Sequence, residues 1–282
     1  MEMVQTKIVA LCCAALLALS CSQRFGWEKF EMDGHRTGVV PVDSENMLQA
    51  LGTVEDGVYT APNGTVFEAG SIVGAATHMI EAQPRMKALK QVLAYAPHEL
   101  TRHGRGETEL TNFLVDHLID EAGREFGRKI DVGVLNFGGV RVDIPQGNVL
   151  YDDIVSMLPF KNYPVYVALK GEDLQALFEY MASTRVQIVG GVRVEVENGA
   201  LKSVLVGGEP IDPKKTYGVA TIDFLLDGGD GLSIARNAQE LLISKRMLVE
   251  YILPVVQQLA SEGKPLEYHT DGRVKITGEE RK

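Results

Sequence analysis

Three short blocks carry side chains whose types and spacing suit the capture of a small, flat, anionic molecule. They are Asn136-Phe-Gly-Gly-Val-Arg141, Leu158-Pro-Phe-Lys-Asn162 and Asp223-Phe-Leu-Leu-Asp-Gly-Gly-Asp230. In the first, two glycines let backbone approach a ligand without a side-chain barrier, and Arg141 adds a planar cationic fork suited to phosphate or carboxylate. Asn136 and Gly139 belong to the same turn. In the second, Phe160 sits in a loop, where its face can stack on a purine or pyrimidine, and Asn162 can hydrogen-bond a base edge or a ribose. The third supplies a second loop aromatic, Phe224, and a carboxylate, Asp230, able to grip vicinal hydroxyls. Read singly, the first block is as readily a structural turn with a surface arginine, and the other two are more often a buried loop anchor and a turn. Asp227-Gly-Gly-Asp-Gly231 also lacks the regular acidic spacing of a calcium loop.

The elements that must position these blocks follow from periodicity. Met86, Leu89, Val92 and Leu93 share one helical face, which predicts a helix from Pro84 to about Tyr95. A stronger helix starts around Glu107 to Thr111 and carries Leu110, Phe113, Leu114, His117, Leu118 and Ala122, its acidic start matching the positive end of the helix dipole. Asp131 to Asn136 reads as a strand, Tyr151 to Met157 as a short helix, Tyr163 to Lys170 as a strand, Gly171 as a turn, and Glu172 to Met181 as a helix. The segments 191–196, 201–206 and 217–222 are β-rich, with Asn198-Gly199 as a hairpin turn. Helix returns from Ser244, interrupted by Pro254, and Arg273 to Ile276 closes with a strand. This order predicts an α/β (α+β) fold, a layered sandwich of mixed β-sheets flanked by helices.

Composition sets outer bounds. A chain of 282 residues, 45% hydrophobic and 23% charged, buries a sizeable core. Its formal net charge of -10 argues against nucleic acid polymers, which need Lys and Arg to neutralise phosphates, but leaves a single small anion open. Met1 to Ser20 has the form of an export signal: Lys7, an apolar run from Ile8 to Leu19, then Ser20-Cys21. Leu17-Ala-Leu-Ser-Cys21 resembles a lipobox, which makes Cys21 the lipidated first residue of an exported protein anchored in the cell envelope. The alternative is a soluble secreted chain cleaved near Ser20 with a spare thiol. Residues 21–83 read as an N-terminal extension, with two or three short strands and a small helix near Ser71 to Ile80, or partly a tether, and 84–282 as the main domain.

Taken together, the three blocks closely resemble the C-terminal, substrate-recognising domain of the 5′-nucleotidase family, which includes bacterial UDP-sugar hydrolases. The resemblance runs from about Pro84 to Ile276 and takes in Tyr163-Pro-Val-Tyr-Val-Ala-Leu-Lys-Gly171 and Ile211-Asp-Pro-Lys-Lys-Thr-Tyr217. It implies a base held between Phe160 and Phe224, Asn162 on the base, Asp230 on the ribose and Arg141 in the pocket. Arg102 and Arg105 stand near the place of two further family arginines, with different spacing. One departure is Ser183-Thr-Arg185, where the family usually has a glycine pair and an aromatic; its side chains either narrow the pocket or bring Arg185 into it.

The family's chemistry rests on two divalent metals held by Asp, His and Asn, which activate water for attack on phosphorus. Asp33-Gly-His35 matches one lone element of that set, and the six histidines show no metal-ligand spacing. The expectation is therefore a recognition domain with no catalytic residue, metal or cofactor of its own. It would work as half of a split 5′-nucleotidase with a separate metallophosphatase chain that carries the divalent metals. The alternative is a non-catalytic nucleotide-binding lipoprotein for scavenging or sensing.

Overall fold

The computed structural model describes residues 46–104 and 106–278. The expected signal segment, Cys21 and Asp33-Gly-His35 lie outside the described residues, as does Arg105. The chain divides after Gln83 into two compact units. In the first, α1 (Met47–Leu51) precedes β1 (Thr53–Glu55), β2 (Val58–Thr60) and β3 (Val66–Phe67), which form a three-stranded antiparallel sheet. Tyr59 and Phe67, directly paired across β2 and β3, stack with ring centroids 5.9 Å apart. α2 (Ser71–Met86) follows and is longer than the small helix expected there.

In the second unit, β4 (Val92–Ala96) and β6 (Gly147–Leu150) form a two-stranded antiparallel ribbon on either side of α3 (Glu109–Phe126) and β5 (Val132–Leu135) in sequence. The predicted helix from Pro84 to Tyr95 is thus corrected. Pro84 lies in the last turn of α2, where its missing N–H precedes the helix end by two residues, and Val92 to Ala96 is a strand. The apolar residues that looked helical divide by face instead: Leu93, Ala94 and Ala96 are buried while Val92 and Tyr95 are exposed, around a bulge between Val92 and Ala94.

α4 (Tyr151–Met157), β7 (Pro164–Lys170) and α5 (Gly171–Ser183) follow, then β8 (Ile188–Gly190), β9 (Val192–Glu197), β10 (Ala200–Val206), β11 (Glu209–Pro210) and β12 (Thr216–Ile222). Gly171 opens α5 rather than forming a separate turn. β13 (Glu240–Ile243) was not legible beforehand; the last helix, α6 (Leu248–Ser261), starts four residues after Ser244 and continues through Pro254, and β14 (Val274–Thr277) ends the fold. The central sheet has the order β13-β7-β12-β5-β8 and the second sheet the order β11-β10-β9-β14. Both are mixed: β12 runs parallel to β5 and β14 parallel to β9, with the other pairings antiparallel.

Local chemistry explains the elements. Thr108 caps α3 reciprocally with Thr111 (Thr111 N to Thr108 Oγ1 3.1 Å; Thr108 N to Thr111 Oγ1 2.8 Å), and Gly127 ends it at φ 59. Its buried stripe of Leu110, Phe113, Leu114, Leu118 and Ala122 packs against the central sheet and α6. β5 is buried throughout and β7 nearly so, as strands covered on both faces must be, whereas β9 alternates buried Val with exposed charge. α5 packs between β7 and β12 on one side and β10 on the other, so the expected layered α/β sandwich of mixed sheets and helices is what the chain forms. Among the described residues no helix is long and apolar enough to cross a membrane.

Candidate functional site

Because β5 and β12 are parallel neighbours, their exits lie at the same edge of the central sheet. β5 releases Asn136 and a tight turn of 3-10 helix, Phe137–Gly139; β12 releases Asp223–Leu225 and then Gly229–Gly231. Asn136 Nδ2 donates to Asp230 Oδ2 at 2.8 Å and ties the two exits together across 94 residues of sequence. Asn136 is 5% exposed, and its Oδ1 is buried with no hydrogen-bond partner in the described protein. Gly139 is required beside it, since a Cβ there would stand 2.7 Å from that oxygen.

The third exit joins α4 to β7 and carries Phe160 and Asn162. Asp223 fixes it against the β12 exit: Asp223 N donates to Tyr163 O (3.0 Å), while Asp223 Oδ1 accepts from Tyr163 N (3.1 Å) and Phe224 N (2.9 Å). Leu248 N, at the start of α6, donates to Asn162 O at 2.8 Å. These bonds hold the loops that present Phe160 and Phe224, which remain 47% and 46% exposed. Neither ring stacks on another ring among the described residues. Gly229 permits the second loop to close, because a Cβ there would lie 1.9 Å from Phe224 O.

A small cleft is lined by Asn136, Gly139, Val140, Leu158, Phe160 and Asn162, so four of the residues singled out in the sequence share one cavity wall. Phe224 and Asp230 belong to the loop tied to it through Asn136. Arg141 is exposed at the rim; its Nη1 donates to Gly138 O (3.2 Å) and its guanidinium lies 5.9 Å from the Phe160 ring centroid. Arg102 reaches the same strap, with Nη1 donating to Val140 O (3.3 Å) and its backbone N to Asp143 Oδ1 (2.6 Å). The arrangement offers two flat apolar faces, a carboxylate, a carboxamide and a cation at one sheet edge.

Sequence reasoning missed the supports of this site. Gln187 Oε1 accepts from Phe137 N (3.1 Å), Arg185 lies over the Phe137 ring at 4.9 Å, and Asp223 clamps two loops. Only the unusual Ser183-Thr-Arg185 drew attention beforehand.

The described residues do not fit a dimetal centre: no group of three or more His, Cys, Asp and Glu is placed to hold an ion. His98 is spent on Glu109 (2.7 Å), His117 Nδ1 bonds Phe113 O (2.7 Å), and His269 stacks on Tyr268. His117 packs half-buried against Phe113 and Tyr268, in keeping with a structural role.

Residues 88–237 match the family described as "5′-nucleotidase, C-terminal domain", and the chain belongs to that family. Among curated proteins it is similar to protein UshA of Yersinia enterocolitica, 31% identical over 130 residues that make up 44% of this chain and 22% of that one. A 5′-nucleotidase of Vibrio cholerae is 31% identical over 108 residues, 36% of this chain and 20% of that one. The chain thus spans about a fifth of the length of these relatives. Among solved structures, a 5′-nucleotidase precursor from Thermus thermophilus superposes with TM-score 0.64 at 26% identity, covering 79% of this chain and 46% of that one.

Proposed function

We propose that this chain is the nucleotide-recognition half of a 5′-nucleotidase. In this reading a base lies between Phe160 and Phe224, with Asn162 at its edge. Asp230, oriented by Asn136, takes the ribose hydroxyls, and Arg141, with Arg102 bonded to the same strap, draws in the phosphate. The observation that carries the reading is the Asn136–Asp230 hydrogen bond of 2.8 Å, which joins the β5 and β12 exits, with Phe224 on the second and Phe160 on the loop between α4 and β7 both left half-exposed. Family membership supports the same reading.

In the same reading, hydrolysis belongs to a separate metallophosphatase chain that brings the divalent metals. The export signal and Cys21 further support a protein held in the cell envelope by a lipid anchor. The test is calorimetry of the purified chain with adenosine, inosine and their 5′-monophosphates, followed by hydrolysis assays with an exported metallophosphatase. Binding together with faster hydrolysis by the pair than by the phosphatase alone is expected. Binding without faster hydrolysis would replace the split enzyme by a scavenging or sensing lipoprotein. No binding would remove the pocket.

A further inference from the structure

The segment leaving α5 is tied down and carries a cation that packs on the turn after β5. Thr184 N donates to Tyr180 O (3.1 Å) and Met181 O (3.3 Å), and the Ser183 and Thr184 hydroxyls both bond Tyr180 O at 2.9 Å. The chain then enters β8 at Ile188, and Arg185 and Gln187, two residues apart, both face one side. That side is the turn after β5: Gln187 Oε1 takes the Phe137 amide at 3.1 Å, and the Arg185 guanidinium lies 4.9 Å over the Phe137 ring. Phe137 is flanked by Asn136 and, two residues on, by Gly139, both of which line the cleft, and neither Gly138 nor Gly139 has a side chain to screen it.

Arg185 is exposed and, among the described residues, its contact is this ring rather than a carboxylate. Its fork of N–H donors is therefore without a partner among the described residues. The rim already has a cation in Arg141, which bonds Gly138 O and approaches Phe160. Arg185 stands over the Phe137 ring of the same turn. Guanidinium donates and never accepts, so it is matched by a base edge bearing a carbonyl and opposed by one bearing an exocyclic amino group.

Resting on the pocket reading above, we infer that Arg185 is a specificity-determining residue that selects oxo bases (hypoxanthine, guanine, uracil) over amino bases (adenine, cytosine). Two matched pairs isolate the effect, because inosine differs from adenosine, and uridine from cytidine, chiefly by carbonyl against amino at the edge in question.

The experiment is calorimetry of the four nucleosides and their 5′-monophosphates against the wild-type chain, Arg185→Ala and Arg185→Lys, with thermal unfolding of each protein as the fold control. The wild type should prefer inosine over adenosine by about tenfold, the discrimination expected of one good bidentate contact to O6 and N7, and uridine over cytidine by a smaller factor, because uracil O4 has no neighbouring acceptor. Arg185→Ala should bring both ratios to about one with its unfolding midpoint unchanged, and Arg185→Lys, which loses the fork but keeps the charge, should fall between. Wild-type ratios near one, or ratios unaltered in Arg185→Ala, overturn the inference. Equal weakening of all four nucleosides would mean that Arg185 only packs on Phe137, and a loss confined to 5′-monophosphates would mean that it binds phosphate; either overturns it while the pocket stands. A wild-type chain that binds none of the four nucleosides overturns the pocket and this inference with it.

Discussion

Two polar clusters in the second unit contrast sharply. Around Arg273, 6% exposed along its side chain, every group is answered: Nη1 and Nη2 grip Asp116 at 2.6 and 2.9 Å, Nε bonds Asp271 at 2.9 Å, and Tyr268 donates its hydroxyl to Asp116 at 2.9 Å. Burial, then the Asp116 charge, pushes the Tyr268 hydroxyl well above its ordinary range. At the cleft the accounts stay open. Asn136 Oδ1 lacks a partner, two phenylalanines are half-exposed, and among the described residues neither Arg141 nor Arg185 pairs with a carboxylate. The difference teaches that polarity alone does not mark a site. A closed network fixes the fold, and groups with unspent bonding capacity mark where a ligand belongs.

The comparison can be broken most forcefully at the closed cluster. Arg273→Ala leaves Asp116 uncompensated and should cost about 3 kcal/mol of stability in urea unfolding. Nucleoside affinity of the folded variant should be unchanged, and a binding defect without a stability loss would merge the two regions. At the open cluster the signs reverse: Phe160→Ala and Phe224→Ala should each weaken nucleoside binding by about 1–3 kcal/mol. Stability should move by no more than about 0.5 kcal/mol, as for exposed positions generally. Calorimetry and thermal unfolding on the same samples separate these outcomes, and unchanged affinity in both variants would sink the base sandwich.

A smaller effect is expected of Asp230→Asn, a substitution suited to the left-handed backbone at this residue (φ 48). It should cost a nucleoside about 1 kcal/mol and a free base nothing, because the new carboxamide oxygen can still accept from Asn136 Nδ2 while the ribose loses its charged acceptor. The smallest effect is acid sensitivity. Burial raises the Asp271 carboxyl, but the hydrogen bonds and charge of Arg273 outweigh it and hold the group below the usual carboxylate range. Its contribution is complete above the unfolded value and is lost as pH falls through the folded one. Stability should therefore decline only in acid, and Asp271→Asn should flatten that limb of a denaturation-against-pH curve.

What the sequence showed and what it hid divide along physical lines. α3 was legible because its stripe, cap and terminal glycine are all local, and the Asn198-Gly199 hairpin because both residues take the left-handed backbone that turn demands (φ 51 and 74). β4 was misread because a bulge breaks its alternation, leaving spacings that mimic a helix. At the site, the three blocks could be read from residue type. Their supports could not: Gln187 meets Phe137 50 residues away, and Asp223 meets Tyr163 60 residues away, only because the sheet order brings them together. Nothing local to Gln187 or Asp223 announces that role.

The parallel pairing of β5 with β12 also has a kinetic consequence. Val132 and Val219 are partners although 87 positions separate them (219 − 132), and the loops that form the cleft leave from these strands. Contacts so distant are won late, after most loop-closure entropy has been overcome. A nascent chain that has emerged only as far as α5 therefore has Phe160 but no cleft around it. Ligand capture should consequently report completion of the central sheet, so that a nucleoside added during refolding acts on the last step and leaves the earlier ones untouched.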